Sequence, residues 1–443
     1  MDLRKKVEDV FADYQKDLGR LVSIGSVLTD DGVKPFGKNV QLALEEVLKI
    51  SKELGFTTYI DPDGYYGYAE IGTGGEMFGV LGHMDVVPPG SLDSWETNPF
   101  ELVEKDGFLI GRGSSDDKGP TLAAMYALKI LLDEGKKLNQ RVRFIFGTDE
   151  ESLWRCMKAY VAKEELPTKG FTPDSGFPLI YAEKGLIEYT LTSHEMSDVR
   201  LEGGGALNAV PAQATTDFDE AVAKALDELG YEYTVNGKDL TVIGLAIHAK
   251  DSDRGKNAIV YLAEALHKAG KTNDMIRFIV EKMSNPNGTL IYGEVSDEVS
   301  GKLMFNVGKA EFRENMQEIG IDIRFPVTFP VETVEEKLKA EAHKYEVVVE
   351  RFDYLKSIYM EKDSPYIKQL MKAYQDVTGD LESQPITSGG ATYARAMDNV
   401  VAFGALLPTG LKTEHQPNER ISIADMKVAM TVYAEAFLNI VVG

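Results

Sequence analysis

The stretch Phe78-Gly-Val-Leu-Gly-His-Met-Asp-Val-Val-Pro88 constrains this chain more than any other. Phe78, Val80 and Leu81 read as a short buried strand, Gly82 permits close approach of another segment, and Pro88 ends the run. A strand that closes on His-x-Asp is an opening for a metal site. Residues i and i+2 of an extended segment point the same way, so the Asp85 carboxylate can orient the His83 ring while the other ring nitrogen binds a cation. Taken alone, a hydrogen-bonded pair at a strand end accounts for the pattern better. The acidic residues at other strand ends change that balance.

Residues 141–147 alternate Val142, Phe144 and Phe146 as a strand and run into Thr148, Asp149, Glu150 and Glu151. Gly111-Arg-Gly-Ser-Ser-Asp-Asp-Lys-Gly119 precedes a helix predicted over 120–132, whose first amides attract the Asp116 and Asp117 carboxylates. Asp174 lies in a loop entering a strand, and His415 lies in a loop near the C-terminus. His83, Asp116, Glu150, Glu151, Asp174 and His415 thus place two imidazoles and four carboxylates at strand ends or in loops, where α/β sheets carry their sites. Two divalent cations a few ångströms apart need such a set, with one carboxylate bridging. Nitrogen and oxygen donors without thiolate suit Zn, Mn or Co. Of two adjacent glutamates, one can bind metal while the other takes a proton from water. With 71 Asp plus Glu in the chain, Glu150-Glu151 also reads as a solvated helix start, and pattern alone leaves both readings open.

A chain of 443 residues is too long for one ordinary core. Residues 1–185 read as the first part of an α/β domain, with helices at 1–22 and 39–54 and strands at 56–60 and 66–71. Residues 186–355 read as a strand-rich α+β domain, with strands at 187–192, 240–246, 290–295, 302–307 and 320–325 and helices at 219–229, 258–269 and 334–343. Residues 356–443 return to α/β character, with helices at 364–377 and 423–440, so the middle domain interrupts the outer one. The formal charge of -23 disfavours nucleic acid and anionic membrane as partners. No stretch approaches the roughly 20 apolar residues of a membrane span, and residues 1–22 lack the apolar run of a signal peptide. The single cysteine, Cys156, fits a reducing cytoplasm. It reads as a core thiol rather than a nucleophile, and His194, His267 and His343 read as surface residues.

Four motifs in order, Gly82-His-Met-Asp-Val-Val-Pro88, Gly111 to Gly119, Gly147-Thr-Asp-Glu-Glu-Ser152 and Glu414-His-Gln-Pro-Asn-Glu419, resemble the signatures of dinuclear metallopeptidases related to aminoacylase and carboxypeptidase G. Glu151-Ser-Leu-Trp-Arg-Cys156 and Thr392-Tyr-Ala-Arg395 are most similar to PepV-type bacterial dipeptidases. The resemblance spans nearly the whole chain. It implies a mixed-sheet catalytic domain interrupted by an inserted α+β lid. It further implies that Asp116 bridges two cations, that His83 and Asp174 hold one and Glu151 and His415 the other, that Glu150 is the general base, and that Asp85 supports His83. Members of the resembled family with Asp rather than Glu at the position of Asp174 tend to be dipeptidases or aminopeptidases rather than deacylases, so the resemblance also points towards dipeptides.

In the middle domain, Gly244-Leu-Ala-Ile-His-Ala249 resembles the family segment whose histidine, here His248, enters the site. Asp322-Ile-Arg-Phe-Pro326 resembles one whose arginine, Arg324, binds a substrate carboxylate, and Asn208-Ala-Val-Pro211 resembles a further substrate-facing loop. Gly389 and Gly390 match substrate-cradling glycines. Two positions depart from the pattern: Ala391 stands where a third glycine is usual and Ala249 where glycine follows the lid histidine, and each adds a methyl that bears on side-chain preference. The expectation is a cytoplasmic, monomeric metal-dependent dipeptidase with two divalent cations, Zn before Mn or Co. An N-acyl amino acid deacylase or carboxypeptidase, a non-catalytic metal-binding homologue, and a dimer remain open alternatives.

Overall fold

A computed structural model describes residues 1–33 and 35–443. The chain divides into two compact units, one of Met1–Tyr181, Met360–Ile386 and Thr392–Gly443, the other of Ala182–Tyr359 and Thr387–Ala391. Residues 387–391 thus belong with the second unit, although by sequence they lie within the returning α/β segment.

In the first unit the strand Met77–His83 is buried over its whole length. Its near-continuous apolar run is what a strand covered on both faces requires. It lies parallel to Arg141–Gly147 on one side and Lys169–Thr172 on the other, and Val400–Ala402 continues the parallel set. Tyr66–Ile71 and Thr57–Ile60 extend the sheet antiparallel, making it mixed as expected. The register sets His83 opposite Gly147 and Val80 opposite Phe171. The turns that carry His83, Glu150 and Asp174 therefore leave the sheet from the same edge. The helix Ile423–Ile440 packs on this sheet through Phe437, whose ring lies 5.8 Å from Phe171 and 6.1 Å from Phe78, and contacts the helix Lys118–Asp133.

The second unit is built on an eight-stranded antiparallel sheet, in the order Tyr233–Asn236, Asp239–Ile243, Gln213–Asp217, Glu202–Gly204, Met304–Arg313, Met316–Phe325, Gly185–Ser193, Val348–Leu355. Residues of the helices Glu220–Leu229, Ala258–Lys268, Asp274–Phe278 and Val331–Ala342 join its buried apolar core. Residues 290–295 are not the expected strand. Gly288 and Gly293, both at positive φ, bracket the single helical turn Thr289–Tyr292. An apolar run this short carries no period, so its conformation follows from the glycines around it. The strands Gln213–Asp217, Tyr233–Asn236 and Val348–Leu355 carry too many polar or exposed residues to stand out in the sequence. Among the described residues, no helix is long and apolar enough to cross a membrane.

Candidate metal centre

The three parallel strand ends and two further loops of the first unit bring six side chains together. Asp116 lies between the two imidazoles: His83 Nε2 is 3.0 Å from its Oδ1, and His415 Nε2 is 3.0 Å from its Oδ2. His415 Nε2 is also 3.0 Å from Glu151 Oε2, while His83 Nε2 lies 3.8 Å from Asp174 Oδ2 and 4.0 Å from Glu150 Oε2. Ligand atoms of His83, Asp116 and Glu151 all fall within 4.8 Å of one another, and so do those of His83, Glu150 and Asp174. His83 is fully buried, whereas 57% of the His415 side chain is exposed, which makes His415 the rim of the cluster.

Among the described residues no Lys or Arg pairs with Asp116, Glu150, Glu151 or Asp174; histidines alone face them. Burial and the neighbouring Asp116 and Asp117 push the Asp174 carboxyl well above its usual range. Burial together with Glu151, Asp116 and Asp85 does the same to Glu150, against the attraction of His83. Burial opposes charge on His83, yet Asp116 and Asp85 raise its pKa well above the ordinary value. Hydrogen bonds to Asp116 and Glu151 push His415 up to about 11. Converging buried carboxylates that lack a compensating cation are costly. Their positions, together with two imidazoles and no thiolate, fit a pair of divalent cations.

The surrounding hydrogen bonds differ from the expected strand-end pair. The turn after His83 brings the Asp85 carbonyl to 3.0 Å from Nδ1, while the Asp85 carboxylate stands 3.6 Å away. That carboxylate accepts the backbone N–H groups of Glu150 at 3.1 Å and Glu151 at 3.0 Å. Asp85 therefore fixes the two-glutamate turn directly and the His83 ring through its main chain. Asp149 holds the other end of the turn, accepting from Arg155 Nε at 2.7 Å and Nη2 at 2.8 Å, and Trp154 Nε1 donates to the Glu150 carbonyl at 2.7 Å. Asp117 is buried and accepts from Thr121 Oγ1 at 2.6 Å. The Tyr393 ring stands edge-on to His83, and its hydroxyl is 3.1 Å from Cys156 Sγ. Burial pushes that thiol up to about 12, so it is inert.

The remaining candidates belong to the second unit. Arg324 is buried and forms an ion pair with the buried Asp322, Nε donating to Oδ1 at 2.8 Å and Nη2 to Oδ2 at 2.8 Å. Its Nη1 donates to the Gly389 carbonyl at 2.9 Å, which ties the Gly389–Gly390 segment to the sheet. His248 is exposed, and its Nδ1 accepts the Lys250 N–H at 3.1 Å, so a neutral ring carries its proton on Nε2. Desolvation by the surrounding protein and the Arg324 charge lower its pKa. Asn208 is exposed, and its carbonyl accepts the Ala249 N–H at 2.8 Å. His194 and His343 are exposed, and His267 Nδ1 lies 3.1 Å from Thr272 Oγ1.

With this geometry in place, the sequence profile of Peptidase family M20/M25/M40 matches residues 79–439. The chain is 36% identical over 467 residues to the Bacillus subtilis (strain 168) protein named "Putative dipeptidase YtjP", with 99% of each chain covered. It is 33% identical over 469 residues to the Staphylococcus aureus (strain USA300) protein named "Putative dipeptidase SAUSA300_1697", again with 99% of each covered. Among solved structures, human carnosine dipeptidase 1 superposes with a TM-score of 0.61 at 17% identity, over 99% of this chain and 98% of that one. The Saccharomyces cerevisiae dipeptidase Dug1p gives a TM-score of 0.61 at 15% identity, over 99% and 97%. At such identities the structural likeness is one of fold.

Proposed function

We propose, from the premise that this chain belongs to peptidase family M20/M25/M40, that it is a dipeptidase working with two divalent cations. The observation that carries this reading is Asp116, each of whose carboxylate oxygens lies 3.0 Å from a different imidazole. Asp116 would be shared by both cations, with His83 and Asp174 completing one site and Glu151 and His415 the other. Zn fits this donor set, as do Mn and Co. When bound, such a pair supplies Lewis acidity that polarises a peptide carbonyl and acidifies water.

The protein's own groups supply the rest. Glu150 accepts a proton on its carboxylate and returns it to the departing amine. Arg324, held in orientation by Asp322, offers its remaining N–H groups to the free carboxylate of a dipeptide, and Asn208, Gly389 and Gly390 shape the backbone subsite. His248, protonated on Nε2 and kept neutral by its lowered pKa, is a donor suited to the oxyanion that forms at the attacked carbonyl. The segments Glu151–Cys156 and Thr392–Arg395 support a dipeptidase of the PepV type. The second unit holds all eight strands of its sheet within one chain, which supports a monomer. The buried lone thiol supports the cytoplasm, and the net charge of -23 argues against nucleic acid or anionic membrane as partners.

Purified protein supplied with Mn or Zn should hydrolyse dipeptides and leave tetrapeptides intact, the selectivity that follows from the proposed role of Arg324 in taking the free carboxylate of a dipeptide. Cleavage confined to N-acyl amino acids would instead make it a deacylase, and no turnover of any peptide would leave a metal-binding homologue. His248→Ala should lower kcat about 100- to 1,000-fold, the usual loss for an oxyanion donor, with cation content unchanged. Mixing His248→Ala with Glu150→Gln protein should restore nothing. Recovered activity would mean that the histidine acts across a dimer.

A further inference from the structure

The residue with the most concentrated hydrogen bonding beside the metal centre is one to which the proposed mechanism gives no part. Glu419 is buried. Its Oε1 accepts three backbone N–H groups of the loop that ends in Asp116, from Gly113 at 3.0 Å, Ser115 at 2.9 Å and Asp116 itself at 3.0 Å. Its Oε2 accepts from Arg112 Nη1 at 2.6 Å, with that guanidinium buried beneath the same loop. The Glu419 carbonyl accepts the Gly111 N–H at 2.9 Å, so main chain and side chain grip the loop at both ends. The following strand, Arg420–Ser422, pairs antiparallel with Phe108–Ile110, immediately before the loop.

We infer that Glu419 is a positioning residue that locks the Asp116 loop to the His415 loop, so that ligands from two distant parts of the chain are already in place before a cation arrives. Glu419 is covalently only four residues from His415, and through its carboxylate it is one hydrogen bond from the Asp116 backbone. Among the described residues these three N–H groups have no acceptor but Glu419 Oε1, and a loop whose buried donors lose theirs will move to find water. The His415 side of the lock is braced as well. His415 and Asn418 both take left-handed backbone angles, and Asn418 Oδ1 accepts the Glu96 N–H at 2.7 Å while its Nδ2 donates to the Ser94 carbonyl at 3.0 Å. The 3.0 Å approach of His415 Nε2 to Asp116 Oδ2 is the product of these constraints. Groups that orient metal ligands typically change affinity about 10- to 100-fold when altered.

This inference rests on reading Asp116 and His415 as cation ligands, and the test separates the two. Chelator-treated protein is titrated calorimetrically with Mn2+ and with Zn2+. Glu419→Gln keeps the shape but sets an amide N–H against the Arg112 guanidinium, and it should weaken cation binding about 10- to 100-fold. Asp61→Asn alters a buried carboxylate of the same unit, paired with Lys163, and should leave cation affinity unchanged at a similar loss of thermal stability. In wild-type protein free of metal, the Gly113, Ser115 and Asp116 amides should exchange with deuterium as slowly as those of the neighbouring helix. Wild-type affinity in a folded Glu419→Gln protein would overturn the inference. So would fast exchange of those amides in the metal-free wild type, a measurement that needs no variant to fold. If Asp116→Ala binds cations as wild type does, the ligand reading itself fails. If Asp116→Ala loses them and Glu419→Gln does not, only the lock fails.

Discussion

Glu150→Gln protein should bind its cations as wild type does and turn over dipeptides about 100- to 10,000-fold more slowly, the range expected for a lost general base. The substitution keeps the side chain's volume and removes its ability to accept a proton. The turn that carries it is held by backbone groups that the substitution does not touch: the Glu150 and Glu151 N–H groups on Asp85, and the Glu150 carbonyl on Trp154 Nε1. Folding should therefore be unaffected. Metal analysis and kinetics on the same preparation decide between two roles, because Glu150 also lies within ligand reach of His83 and Asp174. If cations and activity are lost together, Glu150 is a ligand. Unchanged activity would remove it from the mechanism.

Asp116→Ala should lose both cations and all measurable turnover. A carboxylate that faces one imidazole with each oxygen cannot be replaced from either side, since His83 is fully buried and His415 is anchored on its own loop. Loading of the wild-type protein should also carry a proton balance. In the wild-type protein, hydrogen bonds to Asp116 and Glu151 push the His415 pKa up to about 11, so at pH 7 the metal-free ring is protonated and must give up that proton to bind a cation. Cation binding should therefore release protons, visible as a calorimetric enthalpy that depends on the buffer's ionisation enthalpy. Retention of one tightly bound cation by Asp116→Ala would show that the carboxylate is not shared.

Much of this protein is legible from local pattern. The alternation of Val142, Phe144 and Phe146 and the helical spacing at 423–440 each carry their own period, the run at 78–83 stands out by the His-x-Asp that closes it, and the structure forms Met77–His83, Arg141–Gly147 and Ile423–Ile440 there. Chemistry at the strand ends was legible too, because His and carboxylates that interrupt apolar runs have no role in a core and stand out by type. Residues 290–295 show the limit of such reading, since an apolar run of that length is helix or strand according to its flanking glycines.

Which oxygen meets which donor was decided elsewhere. Asp85 sits two residues from His83, yet its carboxylate serves Glu150 and Glu151, because the parallel register sets Gly147 beside His83 and brings the next turn within reach. The resemblance gives Arg324 a substrate carboxylate to bind, and only the sheet shows it paired with Asp322 and bonded to Gly389. Glu419 closes a motif in which only His415 drew notice, and its partner Gly113 lies 306 residues away. Residue type and periodicity are properties of a few neighbouring positions, so the sequence alone determined the strongly patterned elements and the kinds of side chain at their ends. Hydrogen-bond partners across hundreds of residues depend on register and loop path, which exist only once the sheet has closed and buried groups must find acceptors within it.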